Sequence, residues 1–321
     1  MALAGSDVLA ESWTSAAPGY DELFVPRFAP WTEDALAALT QHKHSLPEDH
    51  EVLVPCCGPG QELLPIAELL GGERAVRGTD LAPGMIEIAQ SRCVAAAAHF
   101  GRMSAEVGDA MAPGAGPYAA IFSVFGLQQL PDPVAAIEAW VRALAPGGVA
   151  VVCYWPMGAG VEAAGPWRHW GGLIRRAIGD AAARRGAAGW EDALAGAAAA
   201  VGAEVLADEE RRRRCRRDRG GSTDTLPSCS TPGGCCTARH FTALSLFALQ
   251  ERRHRIEWPC PAGMWEGMTR SGPWHAQRVR RGDAFVDGLR DDFLAPYAPQ
   301  EPLAHNPAAR LLVLRKRRSG E

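Results

Sequence analysis

The stretch EVLVPCCGPGQELLPIAELL, from Glu51 to Leu70, contains the pattern that decides the fold of this chain. Its first apolar residues, Val52 to Pro55, are typical of a short buried strand, and a turn with Gly58 and Gly60 follows. The next residues repeat apolar side chains at the spacing of one helix face, namely Leu63, Ile66, Ala67 and Leu70. A strand, a glycine loop and a helix in this order predict an α/β domain that meets a nucleotide-like ligand at the loop.

Short strands and helices continue to alternate as far as Trp155. Further strands are predicted within RAVRGTD (74–80), MSAEVGD (103–109), YAAIFSVFG (118–126) and VAVVCYW (149–155), and a last one within RLLVL (310–314). Because the connections are short, this order predicts a doubly wound, mostly parallel sheet.

The length of 321 residues fits one large domain or one domain with a smaller lobe. We predict an N-terminal helical lid at 1–50, the α/β core at 51–208 with a covering helical part near 160–200, and the C-terminal part of the same domain at 251–321. Residues 209–250 join an arginine cluster to a stretch rich in Ser, Thr, Gly and Pro. This composition predicts a disordered insertion outside the core.

Composition disfavours several classes of protein. Hydrophobic residues make up 47% of the chain, enough for a full core, and the net charge of −4 argues against a dedicated nucleic-acid binder. The sequence contains neither a bilayer-spanning apolar run nor the basic start of a secretory signal. Nine cysteines in a chain of this length do not form a disulfide scaffold, so we expect a reduced, cytoplasmic protein. The sequence makes no prediction of oligomeric state.

Three candidate ligand-binding features follow consecutive predicted strands: the loop of Gly58 and Gly60, then Asp80, then Asp109. In a parallel sheet these strand ends share one edge, where ligands bind. A carboxylate at the second strand end can accept both hydroxyls of a ribose, and one at the third can accept an adenine amine. Together these features predict an adenosine site.

The loop departs from two common nucleotide-binding motifs. A dinucleotide loop needs a third glycine where Leu63 stands, which disfavours a nicotinamide-dependent oxidoreductase. The phosphate-binding loop with its lysine is also absent. An adenosine compound other than a dinucleotide is therefore favoured.

At this point the sequence resembles a known family. The segments VLVPCCGPG, GTDLAPGMIEIAQ, AEVGDAM, IFSVFGLQQLPDP and LAPGG resemble, in order, the motifs of class I S-adenosylmethionine-dependent methyltransferases. The closest subgroup is the small-molecule one typified by ubiquinone-biosynthesis-like enzymes. The resemblance implies a seven-stranded, Rossmann-like sheet whose last strand is antiparallel, and S-adenosyl-L-methionine as cofactor.

The resemblance also implies which residues contact the cofactor. These are Pro55, Cys56, Gly58 and Gly60 for the methionine part, Asp80 for the ribose, Met85, Asp109 and Ala110 for the adenine, and a backbone contact near Ser123. Candidates for a substrate pocket are Tyr20, Gln129, Tyr154, Trp274 and His275. Trp265, Trp274 and His275 fit equally well as pocket residues or as parts of a covering helix.

The chain departs from the family pattern at several positions. The family has an acidic residue where Val54 stands and a glycine where Cys56 stands, and it often has aspartate at Ala119 and histidine at Gln128 or Gln129. The missing acid removes one partner for the cofactor's ammonium group. We expect Cys56 to be compatible with the loop only if its φ angle is negative and its side chain points away from the ligand.

The remaining motifs favour a small organic methyl acceptor. Cys56 and Cys57 lack metal-ligand spacing, so we interpret them as small buried residues and predict no metal site. The motif of amino-methylating nucleobase enzymes is absent from Ser123 to Gly126, and no catalytic base is predicted. The alternative is a non-catalytic S-adenosylmethionine-binding or scaffolding protein with the same fold.

Overall fold

The computed structural model describes residues 3–114, 116–156, 165–178, 190–205, 250–271, 275, 278–279 and 281–318. The described helices are α1 (Leu3–Leu23), α2 (Val25–Thr40), α3 (Leu63–Leu69), α4 (Pro83–Ala96), α5 (Pro133–Ala143), α6 (Pro166–Ile178), α7 (Trp190–Ala200), α8 (Pro261–Arg270), α9 (Asp283–Asp287) and α10 (Arg290–Leu294). The described strands are β1 (Val52–Pro55), β2 (Val76–Asp80), β3 (Met103–Val107), β4 (Tyr118–Val124), β5 (Leu144–Tyr154), β6 (Ala203–Val205), β7 (Gln250–Arg253), β8 (Ile256–Trp258), β9 (Leu303–His305) and β10 (Ala308–Lys316).

The central sheet has the strand order β3-β2-β1-β4-β5-β10-β6. Strands β1 to β5 pair in parallel, and β10 runs antiparallel to β5 from Arg310 opposite Tyr154 to Arg315 opposite Val149. Strand β7 also pairs with β10 and brings the described sheet to eight strands. The predicted Rossmann-like sheet with an antiparallel last strand is confirmed.

The eighth strand is a difference from the seven that the family pattern implies, and strand lengths explain it. Strand β6 is three residues long and pairs only with the C-terminal end of β10. The first four residues of β10 on the same edge remain for β7, in register from Ala308 opposite Arg253 to Leu311 opposite Gln250.

Both faces of the sheet are covered by helices, which is why its central strands are continuously apolar. Alternate residues of β1 enter different clusters: Val52 and Val54 pack on the side of α2 and α3, whereas Leu53 packs on the side of α5 and α7. Helix α5 begins at a capped end, where the Asp132 carboxylate accepts hydrogen bonds from the N–H groups of Val134 and Ala135.

Helix α1 lies across the carboxyl end of the sheet and contacts the core at two glycines. A Cβ at Gly84 of α4 would lie 2.7 Å from the carbonyl oxygen of Thr14, and one at Gly19 would lie 2.8 Å from the carbonyl oxygen of Arg270 in α8. These approaches fix α1 closely over the strand ends, and the lid assigned to residues 1–50 stays a prediction.

Some sequence-based predictions fall on residues that are not described. The predicted insertion at 209–250 lies outside the described residues except for Gln250, which begins β7. Among the helices of the described ranges, none is both long enough and apolar enough to cross a membrane. The described residues also contain no group of three or more His, Cys, Asp and Glu side chains placed to hold a metal ion.

Candidate active site

A cavity of about 490 Å³ lies where the strand order reverses, at the carboxyl ends of β1 and β4. This is the position at which open α/β sheets bind ligands. Four loops and α1 line it, through Leu9, Ala10, Trp13, Tyr20, Cys56, Gly58, Gln61, Asp80, Leu81, Ala82, Met85, Asp109, Ala110, Met111, Val124, Phe125, Gly126, Gln129, Leu130 and Pro131.

The loop after β1 is a run of left-handed residues. The φ angles are +53° at Cys56, +55° at Gly58 and +78° at Gly60. A Cβ at Gly60 would lie 2.8 Å from Cβ of Ala89, so this glycine is required for contact between the loop and α4. At Gly58 a Cβ would meet Gln61 Oε1 at 3.8 Å, an ordinary van der Waals contact, so the positive φ angle and not a lack of space favours glycine there.

Asp80 connects the end of β2 to this glycine loop. One carboxylate oxygen accepts from the Gly58 N–H at 3.0 Å, and the other accepts from the Ala82 N–H at 3.0 Å. Burial raises the pKa of Asp80, and these backbone hydrogen bonds act in the opposite direction. Each oxygen retains a lone pair, so the carboxylate can also accept from a ligand in the cavity.

Asp109 and Ala110 lie in the neighbouring loop after β3. An oxygen of Asp109 accepts from the Met111 N–H at 2.8 Å, which orients the carboxylate at the cavity wall. The carbonyl oxygen of Ala110 accepts from the indole Nε1 of Trp140 at 2.7 Å, which attaches this loop to α5.

The expectation of a negative φ angle at Cys56 is wrong, because the angle is +53°. Cys56 is among the residues that line the cavity. The structure accommodates it because the facing residue is Gly126, where a Cβ would lie only 2.4 Å from Cβ of Cys56. Burial, together with the charges of Asp80 and Asp109, raises the pKa of the Cys56 thiol well above its usual value, so the reactive thiolate is disfavoured.

The left-handed conformation of Cys56 predicts an unusual order of stabilities. A residue with a Cβ costs about 1–2 kcal/mol in this conformation, and glycine does not carry that cost. Cys56→Gly should therefore unfold at a higher temperature than Cys56→Ala, by about 1 kcal/mol of unfolding free energy, and both should retain cofactor affinity. Thermal unfolding and calorimetry check this, and a Cys56→Ala protein as stable as Cys56→Gly would contradict the left-handed assignment.

The polar side chains of Tyr20, Gln61 and Glu62 lie near the glycine loop. Burial raises the pKa of Tyr20, and the charges of Glu62 and Asp80 raise it further. Glu62 is only 2% exposed, and burial raises its pKa to about 8. Gln61 donates from Nε2 to Glu62 Oε1 at 2.6 Å, and its own Oε1 is buried with no hydrogen-bond partner.

The structure brings together eight of the residues predicted from the sequence and leaves others outside the cavity lining. Tyr20, Cys56, Gly58, Asp80, Met85, Asp109, Ala110 and Gln129 line the cavity. Pro55, Gly60, Ser123, Tyr154 and His275 are not in the lining, and Trp274 lies outside the described residues.

The residues outside the lining have other contacts. Ser123 is fully buried and donates from Oγ to the Pro55 carbonyl oxygen at 3.1 Å, which connects β4 to β1. Tyr154 packs on Trp190 in the cluster on the side of α5 and α7. Nε2 of His275 lies 2.8 Å from Oγ of Ser15 in α1. Trp265 is a core residue that packs on Trp170 and Phe293.

Sequence reasoning missed several cavity residues, chiefly Gln61, Met111, Phe125 and Gly126, and on α1 it identified Tyr20 but neither Leu9 nor Trp13. A signal existed for α1, because Leu9, Trp13 and Tyr20 recur at helical spacing. No motif in the sequence indicates Gln61 as a site residue. It stands out only in the structure, through its hydrogen bond to Glu62 and the burial of its Oε1.

Comparison with known proteins agrees with this geometry. The sequence model of a family described as "Methyltransferase domain" matches residues 52–148, from β1 into β5. A search of curated proteins found no match to the chain.

Solved structures with a related fold include the YcgJ protein of Bacillus subtilis, at 12% identity over 89% of this chain and 100% of that chain, with a TM-score of 0.45. A protein from Bacillus halodurans C-125, thought to be a methyltransferase, has 12% identity, coverages of 88% and 98%, and a TM-score of 0.48. Magnesium protoporphyrin IX methyltransferase from Synechocystis PCC 6803, with bound SAH, has 15% identity, coverages of 56% and 75%, and a TM-score of 0.44. All three TM-scores are below 0.5, so the assignment rests on the matched segment and the topology.

The strand order, in which β10 is antiparallel to both of its neighbours, and the cavity where that order reverses are those of the class I S-adenosylmethionine-dependent methyltransferase fold. Within this chain, residues 52–148 are the methyltransferase domain, and S-adenosyl-L-methionine is its methyl donor. The subgroup of ubiquinone-biosynthesis-like enzymes, which the motifs resemble, stays a prediction.

The residues present fit this donor. Gly58, Asp80 and Gln61 all line the cavity. The Asp80 carboxylate already accepts from the Gly58 N–H, and Gln61 Oε1 has no hydrogen-bond partner. A nucleoside that carries an amino-acid tail presents hydroxyl and ammonium donors to such a set of acceptors.

Proposed function

We propose that this protein transfers a methyl group from S-adenosylmethionine to a small organic molecule. The observation that carries the proposal is the enclosure of the cavity by α1, which places Leu9, Trp13 and Tyr20 over the strand ends. A volume of about 490 Å³ lies within the range of small-molecule pockets, and the lining is mostly apolar with few polar groups. The side chains of α1 over the strand ends favour an acceptor small enough to enter beside them.

For the cofactor half of the cavity, we assign the ribose hydroxyls to Asp80 and the adenine amine to Asp109. The support is their placement at neighbouring strand ends, with Met85 and Ala110 between them in the wall. The methionine part then lies along the loop from Cys56 to Gln61. Pro55 and Gly60 support this loop from outside the cavity rather than contacting the ligand.

The acceptor half is assigned to the wall formed by α1 and the loop after β4. Phe125, Gln129, Leu130 and Pro131 line it opposite Trp13. The aromatic and aliphatic side chains favour an apolar acceptor molecule, and Gln129 can orient a polar group on it. Of the earlier substrate-pocket candidates, Tyr20 and Gln129 are retained in this proposal.

Positioning can account for the chemistry that this cavity performs. S-adenosylmethionine supplies an electrophilic methyl group on a sulfonium, and its transfer is an in-line displacement. Holding the two reactants in one orientation provides a large share of the rate. Among the described lining residues, the thiol of Cys56 and the phenol of Tyr20 have raised pKa values, so neither is suited to act as a base near neutral pH.

Transfer of a labelled methyl group tests the proposed acceptor class. The protein is incubated with methyl-labelled S-adenosylmethionine and a cell extract that has been divided by ultrafiltration. We expect label to appear in the low-molecular-mass fraction and not in protein or nucleic acid. Label confined to macromolecules would contradict the proposal, and cofactor binding without transfer to any fraction would favour the non-catalytic alternative.

A further inference from the structure

The glycine loop contains an acceptor atom without a donor. Gln61 Oε1 is buried with no hydrogen-bond partner, although Gln61 lines the cavity. It lies 3.8 Å from the position that a Cβ would occupy at Gly58, another residue of the cavity lining. A buried acceptor that stays unpaired is costly, so a donor from a ligand would be favoured at this point.

Strand β1 cannot supply the acidic partner that the family pattern places in this region. Val54 occupies the position, is 1% exposed and packs in the aliphatic cluster on the side of α2 and α3. The cofactor's ammonium group therefore needs another acceptor near the methionine end of the loop.

Glu62 determines how Gln61 is oriented. Its carboxyl accepts the amide Nε2–H at 2.6 Å, which leaves Oε1 of the same amide without a donor beside Gly58 in the cavity wall. Arg92, the cation that acts on Glu62, is already engaged by Asp21 at 2.6 Å and also bonds to the Pro59 carbonyl. The acidic side chains near Gln61, namely Glu62 and Asp80, therefore have no free arginine as a partner in the described part of the loop.

We propose that Gln61 Oε1, held in place by Glu62, accepts a hydrogen bond from the ammonium group of the cofactor's methionine part and replaces the acidic residue absent at Val54. The inference rests on the cofactor assignment in the proposed function. Because Gln61 Oε1 is an acceptor that lies near acidic side chains, it favours the ligand's ammonium group over the ligand's carboxylate. This preference distinguishes the methionine end of the cavity from the adenine end.

The protonation of Glu62 gives an independent readout. The groups that face it are Arg92 of α4, which lowers its pKa, together with Tyr20 of α1, the thiol of Cys57 and the Gln61 amide. Burial raises the pKa to about 8 in the free protein, and a cation bound beside Gln61 would lower it. Binding below that pH should then release a proton, so affinity should rise with pH up to about 8 and level off.

Calorimetry on Gln61→Met tests the proposal with two ligands. S-adenosylhomocysteine carries the ammonium group, whereas 5′-methylthioadenosine has the same nucleoside and sulfur without the amino-acid tail. We expect Gln61→Met to weaken S-adenosylhomocysteine binding about tenfold to a hundredfold and to leave 5′-methylthioadenosine within about twofold of wild type. Gln90→Met is the matched control, because Gln90 bonds to the Ala105 carbonyl outside the cavity.

A second variant keeps an acceptor oxygen for the Gln61 amide and removes the titratable carboxyl of Glu62. Glu62→Gln should lose the proton release and the pH dependence of S-adenosylhomocysteine binding while retaining its fold. Unchanged S-adenosylhomocysteine affinity in Gln61→Met, or an equal loss for both ligands, would overturn the proposal. If neither ligand binds wild-type protein, the cofactor assignment itself fails, and this result is distinct from either of those.

Discussion

Asp80→Ala should weaken S-adenosylhomocysteine binding by about tenfold to a hundredfold. This is the change in affinity expected when ribose hydroxyls lose their hydrogen bonds to a carboxylate. The effect has a second source in the protein itself. Asp80 also accepts from the N–H groups of Gly58 and Ala82, so its removal releases the glycine loop from β2. Calorimetry measures the affinity, and thermal unfolding measures the loss of loop support.

Asp132→Ala is the matched control for Asp80→Ala. Asp132 likewise accepts from two backbone N–H groups, at the start of α5, but does not line the cavity. It should cost about 1 kcal/mol of unfolding free energy and leave cofactor affinity unchanged. If both variants lose stability alike and neither loses affinity, Asp80 is a cap and the ribose assignment is wrong.

Among additions of a single methyl group to the lining glycines, we expect Gly126→Ala to lower stability the most. The added Cβ would lie 2.4 Å from Cβ of Cys56 and 3.0 Å from Oγ of Ser123, so the glycine loop or the loop after β4 must move. Overpacking of this kind costs about 1–3 kcal/mol. Because both loops line the cavity, we expect cofactor affinity to fall together with the melting temperature.

A double-mutant cycle identifies the cause of that loss. Cys56→Gly removes the atom at 2.4 Å, so Cys56→Gly combined with Gly126→Ala should recover most of the stability lost by Gly126→Ala alone. Residues in direct contact show coupling energies of about 0.5–3 kcal/mol. Additive effects of the two substitutions would mean that Cys56 and Gly126 do not meet as described.

The strands of the sheet and the edge that carries the cavity were predictable from the sequence, because strand ends and glycine turns leave local signals. Asp80, Asp109 and Gly58 each follow a predicted strand, and topology alone places them at one edge. Tyr154 and Ser123 show the limit of this reasoning. Both occur in predicted strands, but which face a side chain takes and what it meets depend on packing from distant parts of the chain.

The backbone at Cys56 was predicted incorrectly for a similar reason. Sterics within a residue disfavour positive φ for a side chain with a Cβ, and the local sequence contains nothing to oppose that preference. The compensating space comes from Gly126, seventy positions along the chain. The role of Gln61 was hidden in the same way, since its amide is oriented by Glu62 only once α3 is in place.

The contact between Cys56 and Gly126 restricts the order in which this chain can change over generations. With glycine at position 56, a side chain at 126 has room on that side, whereas a side chain at 56 requires glycine at 126. A chain that acquires side chains at both positions would have to tolerate the clash. The cysteine at 56 therefore makes the glycine at 126 difficult to replace by any other residue.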